Sequence, residues 1–269
     1  MQMLGLPEKS CGGTDCEVNQ TMIYIKKKKP PSETIREVSR IKSNPDWKKI
    51  QSGNTKAIRN KFDELSKEPI RQSLLEEQSG LCAYCMRRIE NNGRTTRIEH
   101  WYPLSKDKDQ ALDYRNMLAV CDGGANYQGE EKKILCCDAF KGDDEELMIS
   151  PLNVQHMQKI TYDKKGYIKT KPFDAALEKD INERLRLNGL WKDKKFIADT
   201  STGLVKGRKD TYQLYERFIK KLDRNGRCGS AQVKKKIDEI QTVAQKPEFA
   251  GVWLYFLNKK YVSLLKRGL

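Results

Sequence analysis

Five cysteines in the middle of the chain have the type and spacing of a metal site. Cys82 and Cys85 are separated by two residues, which is the gap of a zinc knuckle. A tetrahedral structural zinc needs two further soft ligands, and the candidates downstream are Cys121, Cys136 and Cys137. The pattern therefore predicts zinc binding by four thiolates, with the fourth ligand open between Cys136 and Cys137.

Polar residues suited to acid–base chemistry lie between these cysteines. The run TRIEHWYP is typical of a β-strand and carries an acid and an imidazole side by side, Glu99 and His100. Asn116 precedes Cys121 by five residues. An imidazole with an ordinary pKa of roughly 6.5 can accept a proton at neutral pH, so His100 is a candidate general base.

Together these residues resemble the HNH endonuclease family, whose site combines two strands, a helix and a metal. The matching segments are CAYC at residues 82–85, the pair Glu99 and His100, NMLAVC at residues 116–121 and CDAFKG at residues 137–142. The sequence departs from the family between Cys121 and Cys137, where fifteen residues replace two. Within this resemblance Cys137 is the better fourth zinc ligand. With Cys137 in that role, the acidic residue and the Lys-Gly pair that follow it occupy the positions that the family pattern gives them.

The resemblance implies a role for each side chain in hydrolysing a DNA phosphodiester bond. His100 is the expected general base toward the attacking water. Glu99 and Asp138 are the expected oxygen ligands of a catalytic Mg²⁺ or Mn²⁺, although Asp138 stands where the family commonly has His or Asn. Asn116 is expected to brace the loop behind the base. The structural zinc is expected to fix the two strands against a helix that begins near Cys137.

Two other interpretations fit parts of the pattern. A zinc ribbon without catalysis explains the cysteines but leaves Glu99, His100 and Asn116 at family positions unexplained, and it corresponds to an inactive DNA-binding or adaptor module. His100 could also be a buried structural histidine; the second histidine, His156, has no comparable context. A sequence-specific HNH nuclease would need a recognition element, and the sequence has no recognisable helix-turn-helix or zinc-finger array.

The chain is strongly basic, and its charge is unevenly distributed. The formal net charge is +15 and the pI is about 9.3. Residues 151–269 contain 27 Lys and Arg against 13 Asp and Glu, so nearly all of the excess lies there. We expect DNA phosphates to contact Lys141 and the run Lys234, Lys235 and Lys236. The alternative for such a run is a solvated helix face.

The hydrophobic pattern divides the 269 residues into four segments and predicts an α+β fold, in which a small zinc-braced unit is flanked by mainly helical segments. The first two segments are a poorly ordered leader over 1–21, and residues 22–78 with a strand (MIYI) and helical tracts over about 32–43 and 55–78. Pro69 is expected to start a new turn or kink within the second tract. The other two segments are the HNH unit over 79–150, and a basic hairpin plus helices over 151–269. The hairpin strands are predicted over 159–162 and 167–170.

No segment of the sequence has the character of a membrane span or a secretory signal. The longest apolar run, residues 249–257, has nine residues, whereas a spanning helix needs roughly 20. We therefore expect a cytoplasmic protein with no membrane partner; that the cytoplasm is prokaryotic is implied by the resemblance described in the next paragraph. In that reducing compartment the cysteines are better metal ligands or free thiols than disulfides.

Beyond the central motif, the chain resembles the HNH nuclease subunits of Septu anti-phage defence systems. The resemblance rests on MIYIKKKKPP, LLEEQSGLCAYC, IEHWYP, CDAFKG, ISPLN and INERLRLNGL. It implies an ABC/SMC-like ATPase partner that restrains the nuclease, and degradation of DNA with little sequence specificity. The basic C-terminal part fits either the DNA backbone or an acidic patch on the ATPase, and the sequence leaves both open.

Overall fold

A computed structural model of the protein describes residues 23–129, 132–142, 145–224, 226 and 228–269. The predicted leader over residues 1–21 lies outside the described residues. Within them the helices alternate with three two-stranded antiparallel sheets, which confirms the α+β class. None of the described helices is both long and apolar enough to cross a membrane.

Four helices occupy the N-terminal region: α1 (Ser32–Lys42), α2 (Trp47–Ser52), α3 (Thr55–Asp63) and α4 (Lys67–Glu77). The helical tract predicted over 55–78 is interrupted at residues 64–66, a few residues before the turn or kink expected at Pro69. The backbone N–H and hydroxyl of Ser66 donate to the Glu37 carboxylate of α1, at 2.9 and 2.6 Å. These hydrogen bonds stabilise the non-helical backbone between α3 and α4. Pro69 lies in the first turn of α4, where its missing N–H is tolerated.

The predicted strand MIYI is wrong for its described residues. The chain is outside regular structure from residue 23 to residue 31. Ile25 is buried, and its N–H donates to the Pro151 carbonyl at 2.9 Å. This segment therefore buries the Ile25 side chain in the core, although its backbone does not pair with a strand of the described chain.

The central sheet pairs β1 (Thr96–His100) with β2 (Met117–Cys121), with Glu99 opposite Leu118 and His100 opposite Met117. Two 3₁₀ turns, Lys108–Leu112 and Tyr114–Asn116, lead into β2. β2 is entirely buried, as expected for the apolar run MLAVC. The short helix α5 (Asp138–Lys141) follows, so the order is strand, strand, helix.

The C-terminal half contains two hairpins and the longest helices. The elements are α6 (Val154–Lys159), β3 (Ile160–Tyr162), β4 (Ile168–Thr170), α7 (Ala175–Lys179), a π turn (Asp180–Arg184), β5 (Leu190–Lys192), β6 (Lys195–Ala198), α8 (Leu204–Arg224), α9 (Ser230–Thr242) and α10 (Ala250–Leu265). The predicted β3–β4 hairpin is confirmed, whereas α2 and the β5–β6 hairpin were not predicted.

A main hydrophobic cluster runs through the described chain from Ile25 to Leu264. It contains the buried strand β2, the central cysteines and apolar side chains of α4, α8, α9 and α10. The rings of Tyr212 and Phe256 join α8 to α10 with centroids 4.5 Å apart. The central sheet is therefore packed by helices from both ends of the chain, and the predicted boundaries at 78/79 and 150/151 stay predictions.

The side-chain amide of Gln78 forms hydrogen bonds to the backbone of the central sheet, as a neighbouring strand would. Its buried amide accepts from Ala119 N–H at 2.8 Å and donates to the carbonyls of Ala119 and Leu81 at 2.7 and 2.8 Å. We expect Gln78→Ala to lower the free energy of unfolding by about 3 kcal/mol, because it leaves buried backbone groups unpaired. Urea denaturation measures this loss. Gln72→Ala, an exposed site on the same helix, is the matched control, and equal stability of the two variants would contradict the assignment.

Candidate active site

The structure brings four of the five central cysteines together. The Sγ atoms of Cys82, Cys85, Cys121 and Cys137 all lie within 4.8 Å of one another, and all four residues are buried. The Sγ atoms of Cys85 and Cys121 are 3.7 Å apart. A tetrahedral zinc with bonds of about 2.3 Å to sulfur requires sulfur separations of about 3.8 Å. The residues present therefore fit a metal ion such as zinc.

Three separate pieces of backbone supply these thiols. A tight turn presents the first pair: Cys82 N–H donates to Arg87 O at 2.9 Å, and Met86 N–H donates to Cys82 O at 3.0 Å. Cys121 ends β2. Cys137 precedes α5 with a positive φ of 53°, and its N–H donates to the Leu185 carbonyl at 2.9 Å.

Cys136 is not one of the four residues in this group. Its thiol also interacts with those of Cys121 and Cys137, so the choice of Cys137 as the fourth ligand stays a prediction. The Cys136 Sγ contacts the Gly123 carbonyl at 3.6 Å and the Thr202 hydroxyl at 3.5 Å. Gly123 has a φ of +60°, and a Cβ there would lie 2.1 Å from the Cys136 carbonyl oxygen. The glycine thus allows the fifteen-residue insertion to fold back so that Cys137 reaches the other three thiols.

Two carboxylates meet beside the cysteines. Glu99, on β1, is buried and lies in hydrogen-bond contact with Asp138, the first residue of α5. Lys141 Nζ is 2.5 Å from Glu99 Oε1, the Tyr84 hydroxyl donates to the same oxygen at 3.2 Å, and Arg97 pairs with Asp138 at 3.4 Å. Burial, and then the charge of Asp138, raise the pKa of Glu99 well above its ordinary value. Paired carboxylates of this kind can bind a hard divalent cation.

The imidazole of His100 is held in one tautomer. Its Nε2 lies 3.0 Å from the Ala111 carbonyl oxygen. Because a carbonyl oxygen only accepts, Nε2 carries the hydrogen and Nδ1 keeps its lone pair. The Phe62 ring packs edge-on against the imidazole with centroids 4.6 Å apart. Burial lowers the pKa of His100 to about 4, so the imidazole is neutral at physiological pH.

Asn116 fixes the backbone that follows the histidine. Its Oδ1 accepts from Tyr102 N–H at 2.7 Å, its Nδ2 donates to Tyr102 O at 3.0 Å, and its own carbonyl accepts from Trp101 N–H at 2.9 Å. The Asn116 side-chain amide therefore binds both the backbone N–H and the backbone carbonyl of Tyr102, two residues after His100. This geometry matches the bracing role that the family resemblance implies.

A cleft of about 170 Å³ exposes these groups. Its lining residues are Arg59, Phe62, Asp63, Arg97, Ile98, Glu99, His100, Pro103, Leu104, Asp138 and Lys141. The general-base candidate, the carboxylate pair and three basic side chains thus share one opening. Asn116 supports the cleft from behind and does not line it.

The four lysines predicted to contact DNA lie in two different settings. Lys141 is almost fully buried, and its ammonium group points into the cleft toward Glu99. Lys234 and Lys236 lie on α9 and pair with Asp238 and Glu239 at 2.8 and 2.9 Å. Lys235 lies on the same helix and is exposed. Their contact with nucleic acid stays a prediction, and the α9 residues do not line the cleft.

Sequence reasoning missed several residues of the site. Arg97 precedes Glu99 by two residues on β1, and the period of a strand could have placed both on one face. Tyr84 stands between the first two cysteines, where its hydroxyl had no assigned role. Arg208, an arginine in a basic helix, gave no signal at all.

Arg208 is fully buried on α8. It donates from Nε to the Gly166 carbonyl and from Nη2 to the Leu187 carbonyl, both at 2.6 Å. Its Nη1 finds no hydrogen-bond partner within the described part of the chain. The charge of the guanidinium interacts with Tyr162 and Asp199, and to a smaller extent with Cys85 and Cys137. It therefore contributes positive charge to the surroundings of the thiol group.

Comparison with known proteins gives one distant similarity to report. No protein-family model matches the chain. A stretch of 100 residues, 37% of the chain, is 26% identical to the Septu protein PtuB of Bacillus thuringiensis. The match covers 34% of that protein, so the chain spans about a third of the length of the relative it matches. This identity supports a distant relationship with that protein.

The two neighbouring cysteines allow a matched test of the metal site. We expect Cys137→Ser to reduce bound zinc from about one ion per chain to well below half, because a hydroxyl is a poor zinc ligand. Cys136→Ser should keep its metal, since that sulfur lies outside the group. Elemental analysis of the two purified variants measures the difference. Loss of zinc from Cys136→Ser with retention by Cys137→Ser would reverse the assignment.

The charge of Arg208 should contribute to metal retention. Four thiolates around a divalent ion carry net negative charge, which a buried guanidinium offsets. We expect Arg208→Gln to weaken zinc binding at least about tenfold, as measured by competition with a chromophoric chelator. Asn188→Ala is the control, because it removes a nearby buried amide and keeps the guanidinium. Equal zinc affinity of Arg208→Gln and the unmodified chain would contradict this role.

Proposed function

We propose that this protein is a metal-dependent HNH endonuclease that hydrolyses DNA phosphodiester bonds. The observation that carries the proposal is the cleft in which a neutral histidine with an available Nδ1 lies beside a carboxylate pair. The cysteine group next to it fits a structural zinc. The sequence motifs that resemble the HNH family supply these same residues.

His100 is the general base in this proposal. Nδ1 takes the proton of the attacking water while Nε2 keeps its hydrogen bond to Ala111 O, so the ring does not have to turn. The Asn116 clamp on Tyr102 holds the chain behind the ring. Positioning a base within hydrogen-bond reach of its water is what makes general-base catalysis efficient.

Glu99 and Asp138 hold the catalytic cation in this proposal. A Mg²⁺ or Mn²⁺ ion there would stabilise the negative charge that develops on the scissile phosphate and the departing oxygen. Two carboxylates are a suitable protein contribution, because Mg²⁺ usually completes its shell with water and phosphate oxygens. Lys141 orients Glu99 through their ion pair and adds a positive charge close to the phosphate position.

The zinc has a structural role in this proposal. Cys82, Cys85, Cys121 and Cys137 would hold it, and two of them stand at the end of β2 and directly before α5, which carries both Asp138 and Lys141. A helix of four residues cannot hold its orientation by its own hydrogen bonds. Ligation by these thiols would therefore fix the spacing between the carboxylate on β1 and the carboxylate on α5.

We further propose that the nuclease is the effector of a prokaryotic anti-phage defence complex, controlled by an ABC/SMC-like ATPase subunit in the cytoplasm. The distant similarity to a Septu protein supports this role. The basic residues beyond position 150 offer a surface for DNA or for an acidic patch on the ATPase. The competing function is a catalytically inactive, zinc-stabilised DNA-binding or adaptor module.

The two histidines of the chain provide a matched activity test. With plasmid DNA and Mg²⁺ or Mn²⁺, we expect His100→Ala to lower the cleavage rate about 100-fold or more, because the general base is lost. His156→Ala should retain activity, since that residue lies on α6 and outside the cleft. Zinc content and thermal unfolding are measured on both variants to establish that they are folded.

A second arm adds the ABC/SMC-like ATPase that is proposed as the partner. Suppression of cleavage by the ATPase would support the defence complex, and unchanged cleavage would argue against it. A folded, zinc-loaded protein that binds DNA but never cleaves it, alone or with the ATPase, would favour the binding module.

A further inference from the structure

The β5–β6 hairpin presents aromatic and aliphatic side chains to solvent. Residues 191–197 are all exposed, and the exposed fractions of Trp191, Phe196 and Ile197 are 43%, 38% and 55%. Apolar groups clustered at the surface and flanked by charges mark interaction sites more often than chance exposure does. Within the described chain, the Tyr167 ring contacts Trp191 and Phe196, and both side chains stay exposed beside it.

The aromatic side chains of the hairpin are already ordered. The rings of Tyr167, Trp191 and Phe196 contact one another edge to face, with centroids 5.5 to 5.8 Å apart. The Trp191 indole N–H donates to the Asn188 carbonyl at 2.9 Å, which fixes the ring. A ligand that stacks on these rings therefore loses little side-chain entropy to them.

The hairpin also carries positive charge with no internal partner. Lys192, Lys194 and Lys195 are exposed, and no carboxylate in the described part of the chain pairs with them. By contrast, Lys234 and Lys236 on α9 are each paired with an acidic side chain of the same helix. Lysines interleaved with aromatic rings are suited to a partner with anionic groups and flat apolar faces.

Both ends of the hairpin are fixed to the segment that carries the cleft residues of α5. Before β5, the Arg186 guanidinium lies 3.4 Å from the centroid of the Phe140 ring on α5. After β6, Ser201 N–H donates to the Ile134 carbonyl at 3.0 Å, and the Thr202 hydroxyl contacts Cys136 Sγ. A ligand on the hairpin is thereby held in a fixed relation to Asp138.

We propose that the β5–β6 hairpin is a DNA-binding finger that positions the substrate of the nuclease. Its lysines contact backbone phosphates, and Trp191 and Phe196 contact bases. A two-stranded ribbon fits the major groove of a duplex, and aromatic rings stack on unpaired bases. This inference rests on the proposed function for its link to cleavage, whereas the binding itself does not depend on catalysis.

The test measures DNA binding separately from cleavage. In the His100→Ala background, fluorescence anisotropy with duplex and single-stranded oligonucleotides compares two triple variants. One changes Lys192, Lys194 and Lys195 to Gln; the control changes Lys220, Lys221 and Arg224 to Gln, with the same loss of charge. The control residues are exposed at the far end of α8, beginning about 24 Å along the helix from its first residue.

We expect the hairpin variant to lower DNA affinity at least about tenfold and to reduce the slope of log affinity against log salt by about 2 to 3. Trp191→Ala should lower affinity by about fivefold or more, because stacking contributes about 1 to 3 kcal/mol per base. The control triple variant should change affinity by no more than about twofold at the same salt concentration.

Two outcomes would overturn the proposal. The first is equal DNA affinity of the hairpin variant and its control. The second is unchanged DNA affinity of the hairpin variant together with loss of its binding to the ATPase, which would assign the hairpin to the protein partner. If the unmodified chain cleaves DNA and the hairpin variants bind and cleave equally well, the finger is rejected and the nuclease function stands. If the unmodified chain never cleaves but its DNA binding depends on the hairpin, the finger stands and the nuclease function fails.

Discussion

Four buried thiols that converge from three separate parts of the chain are the constraint on which the rest of the site depends. Cys121 ends a buried strand, and Cys137 lies directly before the helix that carries Asp138. Any movement of the cysteine group would therefore change the distance between that carboxylate and Glu99 on β1. The α5 helix has four residues and little stability of its own. Its position is set by the cysteine group and by the 185–187 segment, which bonds Cys137 and Arg208.

The base in the cleft is oriented by hydrogen bonds that do not involve the cysteines. Ala111 O fixes the tautomer of His100, and Asn116 fixes the backbone at Tyr102. Both come from the 3₁₀ turns between β1 and β2, and Ala111 also packs in a small cluster with Ile58 of α3. The cleft therefore joins two separately supported parts. Asp138 directly follows the cysteine group, whereas His100 is held by contacts with the 3₁₀ turns.

The sequence predicted what depends on local pattern and failed where a tertiary contact decides. β1 and the β3–β4 hairpin follow from short β-type runs, β2 coincides with the apolar run MLAVC, and Cys137 was preferred from the motif register of the resemblance. The break before α4 depends on a contact from Glu37, which lies far away in sequence. The β5–β6 turn places Asp193 and Lys194 at positive φ, positions that turn rules assign to glycine or asparagine. Arg208 could not be identified, because its only distinguishing property is burial among groups distant in sequence.

The charges in the cleft couple the proposed cation to the proposed substrate. Lys141 pairs with Glu99, and Arg97 pairs with Asp138, so each carboxylate already has a basic neighbour. A divalent cation at the carboxylates would weaken both pairs by competing for the same oxygens. Lys141 and Arg97 would then be available to phosphate oxygens, which are the ligands that complete a Mg²⁺ shell. Because each event supplies the charge that the other needs, cation and DNA should bind this cleft more tightly together than either binds alone.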